Sequence, residues 1–168
     1  MPNWETTIVP LDDAHELLSA LGIGPHSRGY QRWRREDGFL QVDFEGVLNE
    51  SISVIVVDGR DCLQHVVGFI LKQLEQIGID VSAEMGEDGN EGLFRVDGQS
   101  AQIEYVPADE DDFDQVVAVF NRMIADTARY RKFRSCEGSD GWSYVLLKNE
   151  DWQTLESAAA NTVKLLFV

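Results

Sequence analysis

Twelve carboxylates stand between residues 80 and 114: Asp80, Glu84, Glu87, Asp88, Glu91, Asp97, Glu104, Asp109, Glu110, Asp111, Asp112 and Asp114. They face one cation, Arg95, which leaves a local net charge of −11. The chain as a whole carries −16 over 168 residues, so most of its imbalance lies in this one stretch. Carboxylates at this density can do three things. A pair can serve as general acid and base, provided burial raises the pKa of one member. A cluster can hold a hard cation through its oxygens. An exposed field can steer a basic partner, at the expense of self-repulsion in the compact state.

The spacing tests the first two. When Gly89 is set at the glycine of a twelve-residue calcium loop, Gly86 falls on a ligand position and Arg95 where the bidentate acid belongs. The second cluster, residues 109–114, has no glycine at all. An irregular calcium or magnesium site is the remaining metal option. Gly22-Ile23-Gly24 lacks the third glycine and the preceding strand of a dinucleotide site, and no Gly-Lys-Ser/Thr phosphate loop is present. In Gly138-Ser139-Asp140-Gly141 the serine directly follows the glycine, which is not a nucleophile elbow. Cys62 and His65 lie three apart, but two ligands do not make a metal site. The expectation is a protein without cofactor, metal or catalytic residues.

A second polar segment carries Arg28, Arg32, Arg34 and Arg35 with Tyr30 and Trp33 between them. Cations interleaved with aromatics can bind single-stranded nucleic acid, yet the alternation here is also that of a strand. The acidic balance disfavours phosphate binding and anionic membrane alike, so neither partner is expected. Apolar residues make up 43% of the chain and charged ones 26%, ordinary globular usage. Length and composition suit one α+β domain spanning residues 1–168. Cys62 and Cys136 read as reduced thiols. Met1-Pro2-Asn3-Trp4-Glu5 has neither the basic residues nor the apolar run of a signal peptide, so the expected location is the cytoplasm.

The elements that must position these residues follow from periodicity. Residues 11–21 carry leucines at helical spacing; residues 30–34 and 39–44 read as strands around Glu36-Asp37-Gly38. Residues 51–57 read as a central strand buried on both faces, and 61–77 as the main core helix, with Leu63, Val66, Val67, Ile70, Leu71 and Leu74 on its stripe. Residues 81–92 read as a loop, 93–96 and 101–106 as a hairpin, and 113–130 as a second helix closed by Arg129, Arg131, Lys132 and Arg134. A strand over 142–148 and a last helix with Trp152, Leu155, Ala159, Val163 and Leu166 on its face complete the order. The expected fold is α+β in two layers, a mainly antiparallel sheet of about six strands with about four helices. Residues 39–77 and 93–130 both read as strand, strand, helix, a weak internal duplication.

The function that fits is a bacterial immunity protein, an antitoxin that captures a basic toxin such as a nuclease and occludes its active site, monomeric before it binds. The expected partner-binding residues are Glu84, Glu87, Asp88, Glu91, Asp109, Glu110, Asp111, Asp112 and Asp114, with Phe94, Tyr105 and Phe113 as aromatic anchors. The alternatives are an escort chaperone for a secreted effector, or a small enzyme built on a carboxylate pair or a metal.

Overall fold

The structure is a computed structural model that describes residues 7–10, 18–20, 22, 34–36, 39–42, 54–107, 113–136 and 140–168. Its strands form three antiparallel sheets of three strands each. In the first, β1 (Thr7–Pro10) and β2 (Arg34–Glu36) flank β3 (Phe39–Val42). Glu36 pairs with Phe39, and Asp37 and Gly38 of the turn expected at Glu36-Asp37-Gly38 lie outside the described residues. Strand β1 was not expected from the sequence, and residues 18–20 are helical within the helix expected over 11–21. Of the strand expected at 30–34 only Arg34 is described, and it opens β2; residues 30–33 lie outside the described residues.

The second sheet has β9 (Gly141–Lys148) at its centre, between β4 (Val54–Asp58) and β8 (Ala128–Lys132). Among the described residues strand β4 pairs with β9 alone, which departs from its reading as a central strand buried on both faces. Ile55 and Val57 are buried on one face, while Val56 between them is 59% exposed. Both faces are covered on β9 instead. Tyr144 and Leu146 enter the core shared with the first two helices, α1 (Leu63–Gln76) and α2 (Asp114–Met123). Val145 points the other way, into a second core made with the last helix, α3 (Asn149–Leu166). Its predicted stripe, Trp152, Leu155, Ala159, Val163 and Leu166, is buried there with Leu18, Phe133 and Phe167.

The third sheet is the meander β5 (Val81–Met85), β6 (Glu91–Val96) and β7 (Gln99–Glu104). Residues 81–85, read from sequence as part of a loop, are a strand. Val81, Ala83 and Met85 alternate with exposed Ser82 and Glu84, a period-two pattern too short and too low in bulk to stand out beside the glycines and acids. The β6–β7 connection is the two-residue turn Asp97-Gly98, with φ of 46° and 81°. Positive φ at both positions is the type I′ geometry that matches strand twist. Asp97 also accepts the Asp80 N–H through Oδ1 at 3.0 Å, fixing the chain as it enters β5.

The second helix stops at Met123, seven residues short of its expected end. Ala128, Tyr130 and Lys132 alternate with Arg129 and Arg131 as a strand paired to β9, so these cations do not sit on a helix C-terminus. The Asn121 side chain fills the outer edge of β8: its Oδ1 accepts the Tyr130 N–H at 2.8 Å and its amide donates to the Tyr130 carbonyl at 3.0 Å. An edge occupied in this way is closed to another strand at that residue. The two strand-strand-helix stretches also pair differently. Strands β6 and β7 are hydrogen-bonded to each other, whereas β3 and β4 belong to different sheets. Among the described residues no helix is long and apolar enough to cross a membrane.

Two outcomes follow from this packing. Leu63→Ala or Ile70→Ala removes a fully buried side chain from α1 and should cost about 2–5 kcal/mol in urea unfolding. A near-neutral change would show that α1 does not anchor the core. Burial raises the pKa of Tyr130, whose hydroxyl donates to Gln73 Oε1 at 2.9 Å. The folded state thus holds a proton that the unfolded chain releases near its ordinary pKa of 10.0, so stability should fall as pH rises above that value. Ultraviolet absorbance should show Tyr130 ionising only together with unfolding; ionisation in the native state would contradict this placement.

Candidate functional site

The outer face of the third sheet is where the described acids gather. Alternation along each strand turns Ser82 and Glu84 of β5, Glu91, Leu93 and Arg95 of β6, and Ser100, Gln102 and Glu104 of β7 away from the core. The register sets these side chains in rows. Ser82, Arg95 and Ser100 form one row, and Glu84, Leu93 and Gln102 form the next. Beyond them Glu91 stands directly opposite Glu104. Arg95 leans back to Glu84, its Nη1 2.7 Å from Oε1, and so pairs with that carboxylate rather than with Glu91.

The loop from β5 to β6 continues this end. Glu87 and Asp88 are exposed on it, and Asp88 Oδ1 accepts the Asn90 N–H at 3.0 Å in a local turn. The loop is held rather than loose. The Gly89 carbonyl accepts the Gln64 N–H at 2.9 Å, satisfying a first-turn donor of α1 that has no side-chain cap. Gly89 has φ of 73°, and a Cβ there would stand 2.7 Å from Gln64 Oε1, so both backbone and space require glycine. The Asn90 carbonyl accepts the Tyr105 N–H at 2.8 Å, tying the loop to the end of β7. Glu87, Asp88, Glu91 and Glu104 are thus brought together on a fixed frame. Among the described residues Glu87, Glu91 and Glu104 form no ion pair.

The aromatic residues expected as anchors are not on this surface. Phe94 is fully buried edge-on against Phe120, with ring centroids 5.2 Å apart. Tyr105 and Phe113 are buried against each other at 5.1 Å, and Phe113 continues to Tyr144 at 6.1 Å. They were expected as anchors because they are aromatics beside the acids; all three instead lie in the core, where large rings contribute most to burial. The apolar surface beside the acids is instead Leu93, half-buried at the centre of the sheet face, and Val106, 39% exposed just past β7.

Asp114 also has a structural task. Its carboxylate accepts the Tyr144 hydroxyl at 2.6 Å through Oδ1 and Lys132 Nζ at 2.8 Å through Oδ2, pinning the start of α2 to the second sheet. Asp109, Glu110, Asp111 and Asp112 lie outside the described residues. Among those described, no group of three or more His, Cys, Asp or Glu side chains is placed to hold a metal ion. Cys62 is partly exposed and Cys136 buried, both as free thiols.

Glu104 was missed as a site residue, although a signal for it was present. A two-residue turn at Asp97-Gly98 pairs Val96 with Gln99 and, counting outward, Glu91 with Glu104. Like charges directly opposite on a sheet face destabilise it, by a modest amount at an exposed position. Glu104→Lys should therefore stabilise the isolated protein by roughly 0.2–1 kcal/mol in urea unfolding, with the gain shrinking as salt is added. Destabilisation would show that Glu91 and Glu104 do not repel. No protein family, curated protein or solved structure matches this chain.

Proposed function

We propose that this protein is a binding protein rather than an enzyme, and that the acidic end of the third sheet captures a basic protein. An immunity protein that neutralises a basic toxin such as a nuclease fits that description. Nucleases are cationic where they hold phosphates, and a carboxylate surface imitates the charge of their substrate. The observation that carries this reading is the pairing of Glu91 with Glu104 across the sheet, with Glu87 and Asp88 on the adjoining loop and, among the described residues, no ion pair to Glu87, Glu91 or Glu104. A solvated face needs charge but does not need like charges set opposite each other. The repulsion is relieved when a lysine or arginine of a partner sits between the two carboxylates.

Electrostatic complementarity of this kind raises association rates more than it lowers dissociation rates, and it weakens with salt. Residence time has to come from desolvated apolar contact. Leu93 and Val106 are the residues beside the acids that are available for it.

The test uses the intact protein as bait in lysates of the source cell and of its competitors, beside a Glu91→Lys/Glu104→Lys variant whose folding is checked by circular dichroism. A basic protein that the wild type retains at low salt and releases at high salt, and that the variant fails to retain, is the expected result. Equal retention by both baits would place the interface elsewhere. A client that resists salt, together with a stable dimer of the bait, would favour the escort chaperone.

A further inference from the structure

Successive residues of an antiparallel strand turn their backbone groups to opposite sides, so a strand at the edge of a sheet leaves every second N–H and C=O to find a partner elsewhere. Strand β8 finds one at each of its outward residues. The Ala128 N–H donates to the Ile124 carbonyl at 2.9 Å, the Asn121 side chain takes both groups of Tyr130, and the Lys132 carbonyl accepts the Val168 N–H at 2.9 Å. On β4 the outward N–H of Asp58 donates to Asp61 Oδ2 at 3.0 Å.

Strand β7 is the other edge, and it is left open. Hydrogen bonds at the ends of the third sheet fix which groups point outward. The Asp97 N–H donates to the Asp80 carbonyl and the Gly86 N–H to the Glu91 carbonyl, both at 2.9 Å, so Glu91, Leu93 and Arg95 turn their backbone groups to β5. The Tyr105 N–H donates to the Asn90 carbonyl at 2.8 Å, so Gly92, Phe94 and Val96 turn theirs to Ile103, Ala101 and Gln99 of β7. The N–H and C=O of Ser100, Gln102 and Glu104 therefore point away from β6. Among the described residues nothing is hydrogen-bonded to them, and all three residues are exposed. The strand has no proline and no lysine, and its pairing with β6 runs without a bulge, so it lacks the features that usually blunt an edge. Its single charge is Glu104.

We propose, resting on the acidic end as the capture surface, that β7 takes up an extended basic segment of the protein partner as a fourth strand of the third sheet. Ser100, Gln102 and Glu104 are two apart, so the residues added opposite them are also two apart and place their side chains on the same outer face. The residue opposite Glu104 continues the row of Glu91 and Glu104, with its Cβ about 4.5–5.5 Å from that of Glu104. A lysine or arginine there supplies the counter-charge that this pair of carboxylates lacks. Main-chain hydrogen bonds give affinity for an extended segment, and the acidic row selects a basic one and sets its register. A second copy of this chain is disfavoured as the added strand, because it brings its own net charge of −16 to the same place.

The probe is an eight-residue peptide alternating lysine with threonine and blocked at both ends. Its control is the same peptide N-methylated along the backbone, which keeps the charge and cannot donate to a ladder. Amide exchange of the intact protein, read by nuclear magnetic resonance, should slow about tenfold or more at Ser100, Gln102 and Glu104 with saturating peptide and stay unchanged with the control. Gln102→Pro removes the central outward N–H where an edge strand admits proline; circular dichroism should stay native while affinity for the peptide falls about tenfold or more. The two peptides decide the matter on the wild-type protein alone if that variant does not fold. Equal binding of both peptides, no protection on β7, or unchanged affinity in a folded Gln102→Pro would each overturn the proposal, as would a dimer of the free protein that Gln102→Pro abolishes. A basic protein retained from lysate by wild type and Gln102→Pro but lost by Glu91→Lys/Glu104→Lys would leave the capture surface standing and remove strand addition. Peptide protection on β7 with no basic protein retained would support strand addition and remove the reading of function.

Discussion

Phe113 is the side chain on which the two halves of the described core depend. It is fully buried at the start of α2, between Tyr105, which follows the last strand of the third sheet, and Tyr144, on the central strand of the second. The two sheets share no hydrogen-bonded strand pair, so packing rather than a ladder has to hold them together. Edge-to-face rings supply large buried area with a fixed geometry. The polar side of the same joint is Asp114, which accepts hydrogen bonds from Tyr144 and Lys132 and fixes how α2 leaves it. A hydrophobic joint flanked by a satisfied polar one tolerates little change of shape.

The joint also explains how so acidic a chain remains compact. Of the acids in residues 80–114 that are described, several are consumed by structure: Asp97 holds Asp80, Asp88 holds Asn90, Asp114 holds Lys132, and Glu84 takes Arg95. What remains is Asp80, Glu87, Glu91 and Glu104, the last three set by the sheet register and the Gly89 loop at the end nearest Tyr105.

Sequence reading found what periodicity and turn chemistry encode strongly. The stripes of α1 and α3 are buried almost residue for residue, because long amphipathic helices carry the signal many times over. It missed β5, where Ala83 and Ser82 give alternation without bulk, and it ran α2 through β8 because Ala128, Arg129 and Tyr130 suit either period over so short a span. The site suffered from the same ambiguity. Acidity singled out a stretch, but the faces of Phe94, Tyr105 and Phe113 depended on strand parity and on where a helix began, and composition carries neither.

The central claim is that the carboxylates around Glu91 and Glu104 form the interface with a basic protein. Hydrogen exchange of the protein alone and bound to the partner that it captures tests this most directly, since protection is read peptide by peptide. The account predicts slowed exchange in the β5–β6 loop around Glu87 and Asp88 and at the end of β7 through Val106, with little change in α3. Protection confined to α3 or to the outer side of α1, with the Glu91 end unchanged, would contradict it.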